Sequence, residues 1–363
     1  MIISRKIQQF IKLRSFIRAT VIVLAALMLL LGCARSKMTI GVMVPLSGDA
    51  AAYGTSVQKG VQLAMETLNV KNVEVVFEDS VCDPKQANNA ATKLITIDNV
   101  VAIIGELCSS ATLAAAPIAE ANGVVLLSPA STSPDITDAG DFIFRDVPSD
   151  AKQGVFAANL VYNDGNTSVA ILFPNEDYGK GFSGVMDEAF TSLGGTTILE
   201  SFNRGETDVR SQLTKIKRAN PDAIFLISNS PDAASAAIRQ IKELALTAKL
   251  YGSEGLKSDA IAQTPGAEGL IISSVSAGTP DFMARHEQKF GEVPGPFSAQ
   301  GYDAFESIAR AIEAGAKDAN GIKNELYTLS FEGVSGTIDY DENGDISGGY
   351  ELFIVQNGQF VPY

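Results

Sequence analysis

The sequence predicts an α/β fold built as two doubly wound parallel-sheet lobes. Three observations carry that expectation. From Met38 onward, short apolar runs suited to strands alternate with stretches whose apolar residues recur at helical spacing. The same rhythm restarts near Asp150, so one unit is followed by a second of the same kind. The chain has 363 residues, of which 46% are hydrophobic and 19% charged, enough apolar material for two cores. Strand–helix alternation of this sort covers both faces of a parallel sheet.

Residues 38–44 form the first apolar run, closed by Pro45 and a Ser47-Gly48 turn. Val57, Val61, Ala64 and Leu68 then recur at spacings of 4, 3 and 4, one apolar stripe along a helix. The second strand, residues 73–79, ends at Asp79. Asp83-Pro84 supplies a cap and an N1 proline for a helix carrying Ala87, Ala91, Leu94 and Ile95. A third strand over 100–105 leads to Ser109-Ser110, which opens a helix over 111–121, and a fourth strand covers 124–128. After Asp150, strands are predicted at 169–173, 197–202, 223–227 and 270–273, with helices over 182–193, 209–219 and 233–246. Helices over 281–290, 302–314 and 322–329 and a terminal β stretch complete the chain. Periodicity does not say which lobe those last helices join.

With 28 Lys+Arg against 42 Asp+Glu, the formal net charge is −14. That balance argues against nucleic acid, whose affinity comes mainly from basic residues neutralising phosphates. A single histidine, His286, excludes two-histidine metal sites such as HExxH and leaves one candidate base for a Ser-His-Asp or Cys-His mechanism. It stands in Arg285-His286-Glu287 and reads as a solvated surface residue. The charge is unevenly placed. Residues 1–32 hold Arg5, Lys6, Lys12, Arg14 and Arg18 and no acid, followed by an apolar run over 20–31. Roughly a dozen residues is short for a spanning helix, which needs about twenty, and fits a secretory signal. Leu30-Leu31-Gly32-Cys33 matches the bacterial lipobox. Cleavage before Cys33 with lipid on that cysteine is expected, residues 33–37 serving as a tether; the alternative is an uncleaved signal anchor. Loss of the five basic residues takes the formal charge from −14 to −19. The expected location is the cell envelope, on the periplasmic side or the outer cell surface.

Cys33 aside, Cys82 and Cys108 remain. An even remainder in an exported chain favours a pair, two buried thiols being the alternative. Each follows a predicted strand, and adjacent parallel strands bring their carboxyl ends together.

Several motifs have bland explanations. Gly179-Lys-Gly181-Phe-Ser-Gly184 matches a dinucleotide fingerprint with Glu200 downstream, but Pro174-Asn-Glu-Asp-Tyr178 separates it from the strand and places two carboxylates where a diphosphate would lie. A flexible loop and helix start explains it better. Asp339, Asp341, Asn343, Gly344 and Asp345 match half of an EF-hand loop, but Tyr350 stands where the bidentate Glu belongs. A hairpin turn between 337–340 and 350–355 accounts for it. Ser149-Asp-Ala-Lys152 is S-x-x-K without its companion K-T-G, so Ser149 reads as a helix cap. The sequon Asn166-Thr-Ser168 carries little weight in a bacterial lipoprotein. No metal or cofactor site is expected.

Two segments point to a ligand. Glu106-Leu-Cys-Ser-Ser110 and Ser128-Pro-Ala-Ser-Thr-Ser133 follow the carboxyl ends of strands in the first lobe, the edge where open α/β sheets bind ligands. Ser109, Ser110, Ser131 and Thr132 offer hydroxyls, and the amides opening the next helix offer unpaired donors at a positive dipole end. Such a site suits a small carboxylate. Glu254, in Tyr251-Gly-Ser-Glu-Gly255 of the second lobe, would neutralise an ammonium. Together they describe an α-amino acid held between lobes.

Gly41-Val-Met-Val-Pro-Leu-Ser-Gly48, Asp79-Ser-Val-Cys-Asp-Pro-Lys-Gln-Ala87, Gly105-Glu-Leu-Cys-Ser-Ser110 and Ser128-Pro-Ala-Ser-Thr-Ser-Pro134 resemble the branched-chain amino acid binding proteins of ABC transporters, which have the periplasmic binding protein type I fold. So do Tyr178-Gly-Lys-Gly181, Gly252-Ser-Glu-Gly255 and Asp341-Glu-Asn-Gly-Asp345, and the likeness runs in order from about residue 38 to the end. The resemblance implies two lobes, 38–149 with 276–344 and 150–275 with 345–363, joined by a three-segment hinge that closes on the ligand. It gives Ser109 and the Thr132 amide and hydroxyl to the ligand carboxylate, and the Ala130 carbonyl, Thr132 and Glu254 to the ammonium. Tyr53 and Tyr178 would cover the ligand from opposite lobes, Leu107 would line the pocket, and Cys82 would pair with Cys108. It further implies a monomer without enzymatic activity, delivering its ligand to an ABC permease. A sensory module reporting an amino acid or amide to a receptor is the competing reading; a hydrolase using Ser149 and Lys152 is a third.

There are departures from the family pattern. Where an aromatic often follows the strand at 223–227, this chain has Ser228-Asn229-Ser230, so Asn229 is a candidate contact. Pro296-Phe-Ser-Ala-Gln300 lacks the bulky residue expected near the ligand side chain. A more polar or roomier pocket follows from both.

Overall fold

A computed structural model describes residues 37–363; the expected signal segment at 1–32 and Cys33 lie outside the described residues. The first sheet holds β1 (Met38–Val44), β2 (Val73–Asp79), β3 (Ala102–Gly105), β4 (Val125–Ser128) and β5 (Ile143–Arg145) in the order β2-β1-β3-β4-β5, all parallel. Its strands are joined by α1 (Ala51–Leu68), α2 (Pro84–Thr96) and α3 (Ser109–Asn122). The apolar runs of β1, β3 and β4 are nearly continuous because helices cover both faces.

The second sheet contains β6 (Ser168–Pro174), β7 (Thr196–Phe202), β8 (Ala223–Leu226), β9 (Lys249–Gly252), β10 (Ile271–Ser274), β13 (Glu351–Gln356) and β14 (Gln359–Pro362) in the order β14-β13-β10-β9-β8-β6-β7. It is parallel from β7 to β10, and the last two strands run antiparallel along its edge. On one face lie α4 (Asp150–Asn163) and α5 (Asp177–Ser192), and on the other α6 (Arg210–Ala219), α7 (Pro231–Glu243) and the short α8 (Asp259–Ala262). Then α9 (Pro280–Phe290), α10 (Ser298–Ala314) and α11 (Ala319–Leu326) return to the first sheet, where Phe282, Tyr302, Phe305, Ile308 and Leu326 join its core and α10 packs along α1. The chain thus passes between the two layers of elements three times, after β5, after β10 and after β12 (Thr337–Asp339).

Three expectations are corrected, and one strand is unforeseen. His286 is buried, not solvated. Phe282, His286 and Phe290 share one helical stripe, with ring centroids 5.9 and 4.8 Å apart, while Nδ1 sits 2.9 Å from the Glu292 carbonyl. The glycines at 179, 181 and 184 lie inside α5, not in a flexible loop. Glycine is weak in helices, which hid the start of α5, but space demands it: a Cβ on Gly179 would stand 2.0 Å from the Pro174 carbonyl. The expected hairpin between 337–340 and 350–355 does not form. Thr337–Asp339 pairs instead with β11 (Ser330–Glu332), and residues 341–345 make a tight turn closed by the single bridge Tyr340–Ile346. Finally, β5 is a strand of only three residues that no periodicity marks.

Candidate functional site

The ends of β3 and β4 and the start of α3 build one half of the site. Ser109 opens α3, whose first amides have no intrahelical acceptors. Its hydroxyl oxygen accepts the Ser133 N–H at 3.2 Å, which leaves the hydroxyl proton to donate elsewhere. The loop after β4 is tied down from below. The Ser128 hydroxyl donates to the Glu106 carbonyl at 2.5 Å and accepts from the amides of Ala130 and Ser131 at 3.3 and 2.9 Å. Arg145, fully buried at the end of β5, donates through Nη1 to the carbonyls of Thr132 and Ser133 at 3.1 and 2.8 Å. Its Nε and Nη2 form a bidentate pair with Asp345 at 2.6 and 2.7 Å. The half-EF-hand turn therefore holds an arginine: Asp341 caps the turn, and Asp345 accepts from Arg145 and from Thr137. Neither Arg145 nor Asp345 is recognisable as a site residue from sequence, because each acts through the backbone of Thr132.

The other half lies on the second sheet. Glu254 starts a 3₁₀ turn after β9 and is 3% exposed. Its Oε1 accepts from the Tyr178 hydroxyl at 2.7 Å and its Oε2 from Gln153 Nε2 at 2.8 Å. Gln153 also donates to the Ser273 hydroxyl at 3.1 Å, so the base of the carboxylate is held from α4 and β10. Burial raises the Glu254 carboxyl above the usual range. Asp150 at the start of α4 is buried nearby, raised well above its usual range by burial and then by the charge of Glu254. Two buried carboxyl groups pushed up in this way form a site that a cation stabilises. Burial also raises the phenols of Tyr53 and Tyr178, which stay protonated and donate.

The halves meet in one small cavity. Ser109, Ala130, Thr132, Leu107 and Tyr53 line it from the first lobe, and Glu254, Tyr178 and Asn229 from the second. Ser110 and Ser131 do not. The Ser110 hydroxyl accepts the Asp177 N–H at 3.1 Å across the cleft, and Ser131 bonds Thr112 at 2.7 Å beneath the loop. Phe297 also lines the cavity and corrects the expectation that residues 296–300 lack a bulky group. It adopts a left-handed backbone conformation, φ 62°, just before α10, and its ring meets Tyr53 edge-on at 6.2 Å. An aromatic residue at positive φ is uncommon, and nothing in the sequence pattern foretells it. Across the cleft, the Tyr53 hydroxyl donates to the Gly255 carbonyl at 2.7 Å, and Arg204 pairs with Asp49 at 3.2 Å and donates to the Cys82 carbonyl at 2.6 Å. Cys82 and Cys108 form a disulfide beside the cavity, with Cα atoms 5.6 Å apart.

The chain as a whole is similar to known proteins. A family model described as periplasmic binding protein matches residues 37–359. A structure of a leucine binding protein from Thermotoga maritima is 33% identical, with a TM-score of 0.86, and the match covers 90% of this chain and 97% of that one. A branched-chain amino acid transporter substrate binding protein from Streptococcus pneumoniae, solved in complex with isoleucine, is 29% identical at a TM-score of 0.82 over 90% of this chain and 100% of that one. A leucine-, isoleucine-, valine-, threonine- and alanine-binding protein from Pseudomonas aeruginosa is 29% identical over 86% of this chain and 88% of its own. The chain therefore belongs to the periplasmic binding protein family, among the relatives of its branched-chain amino acid binding members.

Proposed function

We propose that the protein is a solute-binding protein that captures an α-amino acid between its lobes and delivers it to an ABC importer. One observation carries this reading: donors suited to a carboxylate and a buried carboxylate suited to an ammonium face one cavity from opposite lobes. The Ser109 hydroxyl, the first amides of α3 and the Thr132 amide and hydroxyl take the ligand carboxylate. Glu254, oriented by Tyr178 and Gln153, takes the ammonium with the Ala130 carbonyl and Thr132. Tyr53, Leu107 and Phe297 cover the side chain. Binding begins on the first lobe, and rotation about the three crossing segments adds Glu254 and Tyr178. The permease then recognises the closed form, and no bond of the ligand is made or broken.

The lobes in this reading are 38–149 with 276–344 and 150–275 with 345–363. The exported chain is monomeric and lipid-anchored through Cys33, which intact-mass analysis of the membrane fraction tests. The function itself is tested by calorimetry against the protein amino acids. Stoichiometric binding of at least one is expected, and binding of none overturns the reading.

A further inference from the structure

Beside Ala50, Cys108 and Gly255, the wall of the cavity left over from the two charged ends is made by Tyr53, Leu107, Phe297 and Asn229. Three of these are apolar or hold their polar atom elsewhere, since the Tyr53 hydroxyl is committed to Gly255. Asn229 differs. Its Nδ2 donates to Glu176 Oε1 at 2.5 Å. A carboxylate only accepts, so this bond fixes which way the carboxamide faces and turns Oδ1 away from Glu176. That oxygen is buried and has no hydrogen-bond partner among the described residues. The loop carrying it is held by the Ser228 hydroxyl, which donates to the Ser230 carbonyl at 3.0 Å and accepts the Ser230 N–H at 3.2 Å.

We propose that Asn229 reads the ligand side chain, selecting an α-amino acid with a hydroxyl near its β-carbon, threonine or serine, over apolar isosteres. The inference rests on the amino-acid reading above and narrows it. A buried acceptor left unpaired opposes binding, and a site built to hydrogen-bond a hydroxyl rejects the analogue that lacks it. Threonine and valine have nearly the same shape, so their comparison isolates this contact.

The test is calorimetric titration of the full chain with L-threonine, L-serine, L-valine and L-leucine, repeated on Asn229→Leu. Threonine is expected to bind about tenfold or more tightly than valine. Asn229→Leu is expected to reverse that ratio, since the acceptor is replaced by an apolar surface. Valine binding the natural chain as tightly as threonine overturns the inference, and so does a ratio unchanged in the variant. Both results leave the amino-acid reading standing, whereas failure of every α-amino acid to bind overturns that reading together with this one.

Discussion

Replacing Glu254 by Gln separates the charge of this residue from its shape. The carboxylate is 3% exposed, and its two hydrogen-bond donors, Tyr178 and Gln153, are both neutral. In the free protein the substitution keeps the acceptor facing Tyr178 but sets an NH₂ against Gln153 Nε2. One hydrogen bond, about 0.5–1.5 kcal/mol, is lost. Removing a buried charge offsets that loss, so the unliganded fold should change by only about 1 kcal/mol. The ligand ammonium, in contrast, loses its charge partner inside a desolvated cavity. Breaking such a pair costs about 3–5 kcal/mol, or roughly a hundredfold to several thousandfold in Kd. Calorimetry with the tightest-binding amino acid, beside thermal melts without ligand, measures both quantities. An intact melt with Kd within tenfold of the natural protein refutes the assignment of Glu254 to the ammonium. Sign follows from the same residue: burial raises its carboxyl, only the ionised form pairs with the ammonium, and affinity should therefore rise with pH through that raised range.

Other expectations follow from neighbouring groups. Asp345→Ala leaves Arg145 buried without its carboxylate and should lower stability by about 3–5 kcal/mol in urea denaturation, with Asp345→Ala/Arg145→Met recovering much of the loss. Replacing Cys82 and Cys108 by Ser opens a loop with a sequence separation of 26 and should cost about 3.5 kcal/mol by loop-closure entropy, read from the shift in denaturation midpoint. Burial pushes Glu106 up to about 7 and Asp303 up to about 6. The folded state holds these protons while the unfolded chain has already released them. Stability should therefore fall as pH rises from the ordinary carboxylate range toward 7 and level off above it. Glu106→Gln should remove about 3 kcal/mol of that decline, measured by denaturation at pH 4.5 and 7.5.

Most of the fold was legible because its signals are local. The strand runs at 38–44 and 73–79 match the observed strands, and the Asp83-Pro84 start of α2 is capped as expected, Asp83 accepting the Gln86 N–H at 2.9 Å. Ser109 and Thr132, which line the cavity, were legible through their place after strand ends, whereas Ser110 and Ser131, placed alike, do not reach it. What escaped depends on distance in sequence or on unusual backbone. Phe297 reaches the cavity only through a left-handed residue, and Gln153 touches Glu254 from a helix about a hundred residues earlier. His286 was misread because Arg285 and Glu287 flank it in sequence, while on the helix its neighbours are Phe282 and Phe290.

The Arg145–Asp345 pair also narrows where the proposed lobe rotation occurs. The Arg145 N–H donates to the Gly344 carbonyl at 3.0 Å, and Tyr340 bridges Ile346, so residues 340–346 move with the end of β5 and the proposed boundary at 344/345 shifts to follow Ile346. Bending in this crossing is left to Ser347-Gly348-Gly349, a composition with few backbone restraints. Gly348 lies against the first crossing, since a Cβ there would stand 2.5 Å from Pro148 Cγ. Two of the three crossings thus touch, Pro148 against Gly348 and the Tyr350 hydroxyl donating to the Ser149 carbonyl at 3.3 Å. On the proposed reading, a rotation there moves Glu254 and Tyr178 while leaving Thr132, held by Arg145, in place. On the proposed assignment, the carboxylate half of the site is therefore preformed on the first lobe, and the ammonium half is the part that arrives.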